Sequence, residues 1–115
     1  MEPRSDIGVK HDTDKPDWNL LPWDEVEQVV RVLQYGAKKY SPNNWVHVSW
    51  ARYSSAAIRH IVARLRGQIL DPETGLPHLA HAVCCLLFLI YKDNHAKDDI
   101  GLRADSDDAA PEGDR

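Results

Sequence analysis

Between residues 24 and 92 the apolar positions recur with a helical period, and no stretch alternates as a half-buried strand requires. Val26, Val29, Val30 and Leu33 fall at i, i+3, i+4 and i+7, which predicts a helix from Asp24 to about Tyr35. Pro22 stands just upstream, and Asp24, Glu25 and Glu27 fill the first turn, where the helix macrodipole favours negative charge. Gly36 is placed to end this helix as a C-cap. A short segment from Ala37 to Tyr40 and a turn at Ser41-Pro42-Asn43-Asn44 follow. Ile58, Ile61, Val62 and Leu65 form the apolar stripe of a second helix, from about Ser49 to Arg66, with Gly67 as its stop. A third begins near Pro77, a residue favoured in a first helical turn, and runs to about Lys92. Its apolar positions go nearly all round, which predicts a helix buried at the centre of a bundle.

These elements make an all-α chain, a small helical bundle of three to four helices. A length of 115 residues is enough for one domain with one core. Residues 1–20 read as an N-terminal arm, too polar for a core element, whose Trp18, Leu20 and Leu21 predict docking on the body. Residues 21–95 are the helical body. So few helices cannot cover the third one on every side, so a homo-oligomer, a dimer or a tetramer, is expected to complete the bundle.

Charge changes the picture at one end. The chain's net charge of −4 lies in residues 96–115, where seven acids face Lys97, Arg103 and Arg115, while the rest is neutral. An acidic tail with few large apolar residues is expected to be disordered. It also argues against a duplex nucleic-acid partner, whose binding surfaces are usually basic. The first twenty residues lack the apolar run of a signal peptide. The longest apolar run, from Ala82 to Tyr91, is far shorter than the roughly 20 residues of a membrane span. No membrane partner and a cytoplasmic location are therefore expected. Cys84 and Cys85 are neighbours on a helix and point about 100° apart, so reduced thiols are the natural state.

Three of the six histidines gather around one helix–loop–helix. His60 lies about 150° from the stripe of its own helix, on the side of Tyr53, Ala57 and Arg64, and so faces away from that helix's predicted core. His78 and His81 are three apart on the third helix and share a face. Buried imidazoles need partners for both ring nitrogens, because an unpaired polar group costs roughly 2–7 kcal/mol. A metal ion on one nitrogen and a hydrogen bond to the other would satisfy both. Pairing with Asp71 and Glu73 in the connecting loop would serve as well, and the spacing leaves the two open. With Asp71 and Glu73 the histidines form an N/O ligand set suited to Mn, Co, Fe or Zn, or to Mg where carboxylates dominate. Cys85, four residues from His81, is a further ligand candidate or a packing residue.

Lys15, Lys38, Lys39 and Arg59 are candidates for phosphate contacts, Lys as a point charge and Arg as a planar fork. Tyr40, Trp18 and Trp45 could stack on a base, and Asn19 or Asn44 could read its edge. There is no glycine-rich phosphate loop, nucleophile elbow or CxxC pair, which argues against the common P-loop, hydrolase and redox chemistries.

Taken as a linked string, Leu20-Leu21-Pro22, Tyr35-Gly36-Ala37-Lys38-Lys39-Tyr40, Asn44-Trp45, Arg59-His60, Gly67, Asp71, Glu73, Gly75 and His78-Leu79-Ala80-His81-Ala82 resemble the phage dATP/dGTP diphosphohydrolase family. That family is an outlying relative of the MazG-like all-α nucleotide pyrophosphohydrolases, and the likeness covers roughly residues 10–92. It implies metal-dependent hydrolysis of dGTP or dATP to the monophosphate and pyrophosphate. In phages with 2-aminoadenine DNA, the dGMP so formed feeds synthesis of the modified nucleotide. The resemblance implies a divalent cation (Mg, Mn or Co), and this chain's own donors place it on His60, His78, His81 and Asp71. Asp71, Glu73 and Arg59 would be the catalytic residues, and Lys15, Lys38, Lys39, Tyr40, Asn44 and Trp45 the nucleotide contacts. Two departures stand out. The acidic ExxE and ExxD of MazG-like enzymes are replaced by histidines, and Gln68 stands where the family often has Glu, which would move that role to Asp71 or Glu73. The rival readings are a non-catalytic helical metal-binding or interaction module and a triphosphohydrolase that releases tripolyphosphate.

Overall fold

Three helices and two single turns of 3-10 helix carry the chain in the computed structural model, which describes Gly8 and residues 13–96. The acidic tail lies outside the described residues apart from Ala96, as does most of the arm. Among the described residues there is no strand, and no helix is long and apolar enough to cross a membrane.

Helix α1 spans Trp23–Lys39. It does not stop at Gly36: the glycine is helical, and the Tyr40 N–H closes the helix on the Gly36 carbonyl at 2.9 Å. The expected break and the separate segment after it are therefore one helix. An interior glycine costs only about 1 kcal/mol. Ala37 favours continuation, and Lys38 and Lys39 in the last turn suit the negative end of the dipole. The helix thus carries Lys39 and Tyr40 one turn beyond Tyr35, on a rigid element.

Helix α2 spans Trp50–Leu65. Its N-cap is Ser49, whose hydroxyl accepts from the Arg52 N–H at 3.2 Å. The C-terminus closes in a Schellman motif, with the Gly67 N–H on the Arg64 carbonyl and the Gln68 N–H on the Ala63 carbonyl, both at 3.0 Å. Gly67 takes φ +99°, which a side chain would resist.

Helix α3 spans His78–Asn94, and Pro77 is the residue before its first turn. It runs back along α2 and makes a smaller contact with α1. The core is small: Val32, Ala80 and Cys84 are buried together, with Val29, Leu33, Leu76 and Phe88 packed around them. The segment before α2 is tied to the far end of α3 by the Trp50 indole N–H on Asp93 and by Lys92 on the Val46 carbonyl, both at 3.0 Å.

Two expectations about burial need correction. The stripe predicted as the core face of α2 is turned outward, with Ile58 61 % and Leu65 78 % exposed. The face against α3 carries Ala57 and His60 instead, because small side chains let two helices approach closely. Nor is α3 buried all round: Leu79, Val83, Leu86 and Ile90 are exposed, and at about 100° per residue they lie opposite His81, Cys85 and Phe88. Trp18 and Leu20, two of the residues expected to dock the arm, lie in an exposed 3-10 turn with Asn19.

Candidate functional site

A pocket of about 670 Å³ opens where the end of α1, the turn around Trp45 and the polar side of the α2–α3 hairpin meet. Its floor is the histidine cluster. His60 comes from α2, and His78 and His81 come from the first turns of α3. The His60 and His78 rings face each other with their Nδ1 atoms 2.8 Å apart, and the His81 ring stacks on His60 at 4.6 Å.

The loop between the helices is shaped to bring Asp71 to this floor. A single bridge between Leu70 and Pro77 pinches the loop, with the Asp71 N–H on the Leu76 carbonyl at 2.8 Å. Asp71 Oδ1 accepts from the Glu73 and Thr74 N–H groups at 2.8 and 3.0 Å, an Asx turn that holds the carboxylate still. Gly75 at φ +75° completes the reversal. As a result, ligand atoms of His60, Asp71 and His78 all lie within 4.8 Å of one another, the group of this kind among the described residues that could hold a metal ion. Two imidazoles and a carboxylate suit Mn, Co or Zn.

Electrostatics keep His60 and Asp71 in a ligating form. Burial lowers the His60 pKa to about 4, and the neighbouring His81 and His78 push the same way. Burial likewise lowers His81, against the opposing pull of Asp71. Burial alone would raise Asp71, but the Thr74 and Glu73 N–H groups outweigh it and leave the carboxyl below its ordinary range. At neutral pH His60 and His81 are therefore held as neutral imidazoles and Asp71 as an ionised carboxylate.

The other predicted residues divide. Lys39, Tyr40, Asn44, Trp45, Arg59 and Glu73 all line the pocket. Lys15 and Lys38 are exposed and lie outside its lining. His81 is beside the ligand group rather than in it, its Nε2 paired with Thr74 Oγ1 at 2.8 Å. Cys85 lines the pocket but stays a thiol: burial pushes it up to about 11, and Cys84 to about 12. One face of Trp45 is occupied by Phe88, stacked at 4.6 Å, and Tyr91 meets the same ring at a right angle at 4.8 Å. Tyr53 leans on the same Phe88 ring at 4.8 Å and thickens this wall.

Tyr35 and Thr74 are not anticipated as parts of the site by the sequence, nor is the contact that Gln68 makes there. Tyr35 and Lys39 each donate to Glu73 Oε2 at 2.7 Å, which ties α1 to the loop. These bonds, from Lys39 first, hold Glu73 below the usual carboxylate range, and Glu73 in turn raises Lys39 and Tyr35. The signal was present, since Tyr35 and Lys39 are four apart on one helix face. Thr74 accepts from the Leu76 N–H while it meets His81, a link that depends on loop geometry and leaves no mark in spacing. Gln68 places its Oε1 2.7 Å from His78 Nε2.

Fold and site together define a class: a small all-α domain with a histidine–carboxylate floor under a pocket walled by aromatic and cationic side chains. Within it, the chain belongs to the dATP/dGTP diphosphohydrolase N-terminal family, whose sequence profile matches residues 5–100. It is similar to a dATP/dGTP diphosphohydrolase of Salmonella phage PMBT28, at 35 % identity over 88 residues. That alignment covers 76 % of this chain but only 30 % of the relative, so the chain spans about a third of the curated protein it matches. No solved structure matches the chain.

Proposed function

We propose that this chain hydrolyses purine deoxynucleoside triphosphates, dGTP or dATP, between the α- and β-phosphates, with a divalent cation held by His60, Asp71 and His78. The observation that carries the proposal is the placement of these three donors, within 4.8 Å of one another, on the floor of a pocket lined by Lys39, Arg59 and Trp45. The name of the phage relative supports the substrate. A divalent ion (Mn, Co or Mg) would supply Lewis-acid polarisation of the α-phosphate and a lowered pKa for water.

The chain's own residues do the rest. Water oxygen bonds to the α-phosphorus as the bridging oxygen to the β-phosphorus departs with pyrophosphate. Asp71 and Glu73 are the carboxylates placed to accept the water's proton. Arg59 and Lys39 neutralise the leaving pyrophosphate, since phosphoryl chemistry depends mostly on positioning and charge. Lys39 is held by Glu73 before substrate arrives, so phosphate binding exchanges one anion for another at the same ammonium. His81 packs behind His60, and Tyr40, Asn44 and Trp45 form the wall for the base.

The body is completed by a second copy of the chain. Ile58, Ile61 and Leu65 on α2 and Leu79, Val83, Leu86 and Ile90 on α3 form two exposed stripes at helical spacing. Pairing two such hairpins makes a four-helix bundle.

Incubation with dGTP and Mg²⁺, Mn²⁺ or Co²⁺ tests the activity. The expected products are dGMP and pyrophosphate. Tripolyphosphate would contradict the cleavage position, and no product from any nucleotide would favour a non-catalytic module.

A further inference from the structure

Gln68 is the first residue beyond the Schellman closure of α2, and its backbone position is set by the bond from its own N–H to Ala63. From there its side chain reaches His78, the one buried polar residue among those described, at 5 % exposure. A side-chain carbonyl oxygen can only accept. The 2.7 Å contact between Gln68 Oε1 and His78 Nε2 therefore requires the proton on Nε2. A neutral His78 with its proton there has a bare Nδ1, and this is the atom 2.8 Å from His60 Nδ1. His60 must then be the donor of that pair in the metal-free protein.

We infer that Gln68 is a positioning residue for the metal site: its carbonyl locks His78 in the Nε2–H tautomer and so turns the Nδ1 lone pair toward the cation. The inference rests on the metal reading proposed above. Geometry supports it from the other side. Two nitrogens bound to one ion at about 2.1 Å and at right angles stand about 3.0 Å apart, close to the observed separation. His78 needs no change of tautomer to ligate through Nδ1. His60 must move its proton from Nδ1 to Nε2, so the two histidines are not equivalent: one is preset by Gln68 and the other adapts. Burial at His78 makes the carbonyl hard to replace, because little water can reach a stranded N–H.

Two variants test this. Gln68→Met keeps length but has no carbonyl, and Gln68→Glu keeps an oxygen that can only accept. The first readout needs no metal: ¹⁵N shifts of the His78 ring should report Nε2–H in the wild type and in Gln68→Glu, and a mixed or inverted tautomer in Gln68→Met. The second is the visible absorption of bound Co²⁺. Gln68→Met should bind Co²⁺ about 10- to 100-fold more weakly, as loss of such an outer partner typically does, and Gln68→Glu should match the wild type. Wild-type Co²⁺ affinity in Gln68→Met, or an inverted His78 tautomer in Gln68→Glu, overturns the role of Gln68 and leaves the metal site standing. Failure of the wild type to bind Co²⁺ more tightly than His78→Ala overturns the metal reading, and Gln68's role toward a metal with it. The tautomer readout of Gln68→Glu decides the question even if Gln68→Met does not fold.

Discussion

The two sides of the α2–α3 hairpin are built to opposite rules. One side carries His60, His78, His81 and Phe88 around small residues, and each of the three imidazoles there has a hydrogen-bond partner within the chain. The other side carries Ile58, Ile61, Leu65, Leu79, Val83, Leu86 and Ile90, all exposed. The pocket side is finished within one chain. The apolar side is left exposed, and contiguous apolar surface of that kind ordinarily marks an interaction site. On the function proposed above, a single hairpin would serve chemistry with one face and assembly with the other, and each face should fail in its own way.

The largest effect is expected on the pocket side. His60→Ala and His78→Ala should bring dGTP turnover below detection while far-UV circular dichroism stays close to the wild type. Loss of helix in both variants would mean that the histidines hold the fold and not a reaction. Lys39→Ala should lower kcat/KM by about 10- to 100-fold, the range for losing a hydrogen bond between charged groups of about 1.5–3 kcal/mol. An unchanged kcat/KM would place the phosphates elsewhere in the pocket.

On the apolar side the expected readout is mass. The wild type should scatter light as a dimer or larger at micromolar concentration, and Leu86→Glu should reduce it to a monomer. A monomeric wild type would remove the assembly half of the comparison.

Much of this division was legible in the residues, and its limits are physical. The turn-and-stop signals located α2 and α3 to within a residue or two, because Ser49 and Gly67 have strong local reasons to cap. His60 was placed off its helix's stripe by spacing alone, and it is indeed on the hairpin side. The stripe itself reads as the core face of the helix but is turned outward. Periodicity shows that Ile58, Ile61 and Leu65 share a face, but it cannot say whether that face meets another helix of the same chain. Gly36 was read as a stop because a glycine at a helix end and one inside a helix differ only in φ. Gln68 was read as the loss of a carboxylate, yet the accepting oxygen it shares with Glu is the part in contact with His78.

The smallest effect concerns acid. Below its ordinary pKa of about 6.5 an unfolded histidine takes up a proton, whereas folded His60 resists protonation until about pH 4. Protons therefore favour the unfolded chain. The melting temperature of the metal-free protein should be highest above about pH 6.5 and fall by a few degrees as the pH drops toward 4. His60→Gln should flatten that slope. A melting temperature that rises toward pH 4 would mean that His60 is not held neutral by its surroundings.

The central claim is that the pocket face gathers His60, Asp71 and His78 into one cation site. Anomalous diffraction from crystals grown with Mn²⁺ tests it most directly. The account predicts a peak in bonding contact with both imidazoles and the Asp71 carboxylate. A peak on the carboxylates alone, or none at this place while His60 and His78 remain paired to each other, would contradict it.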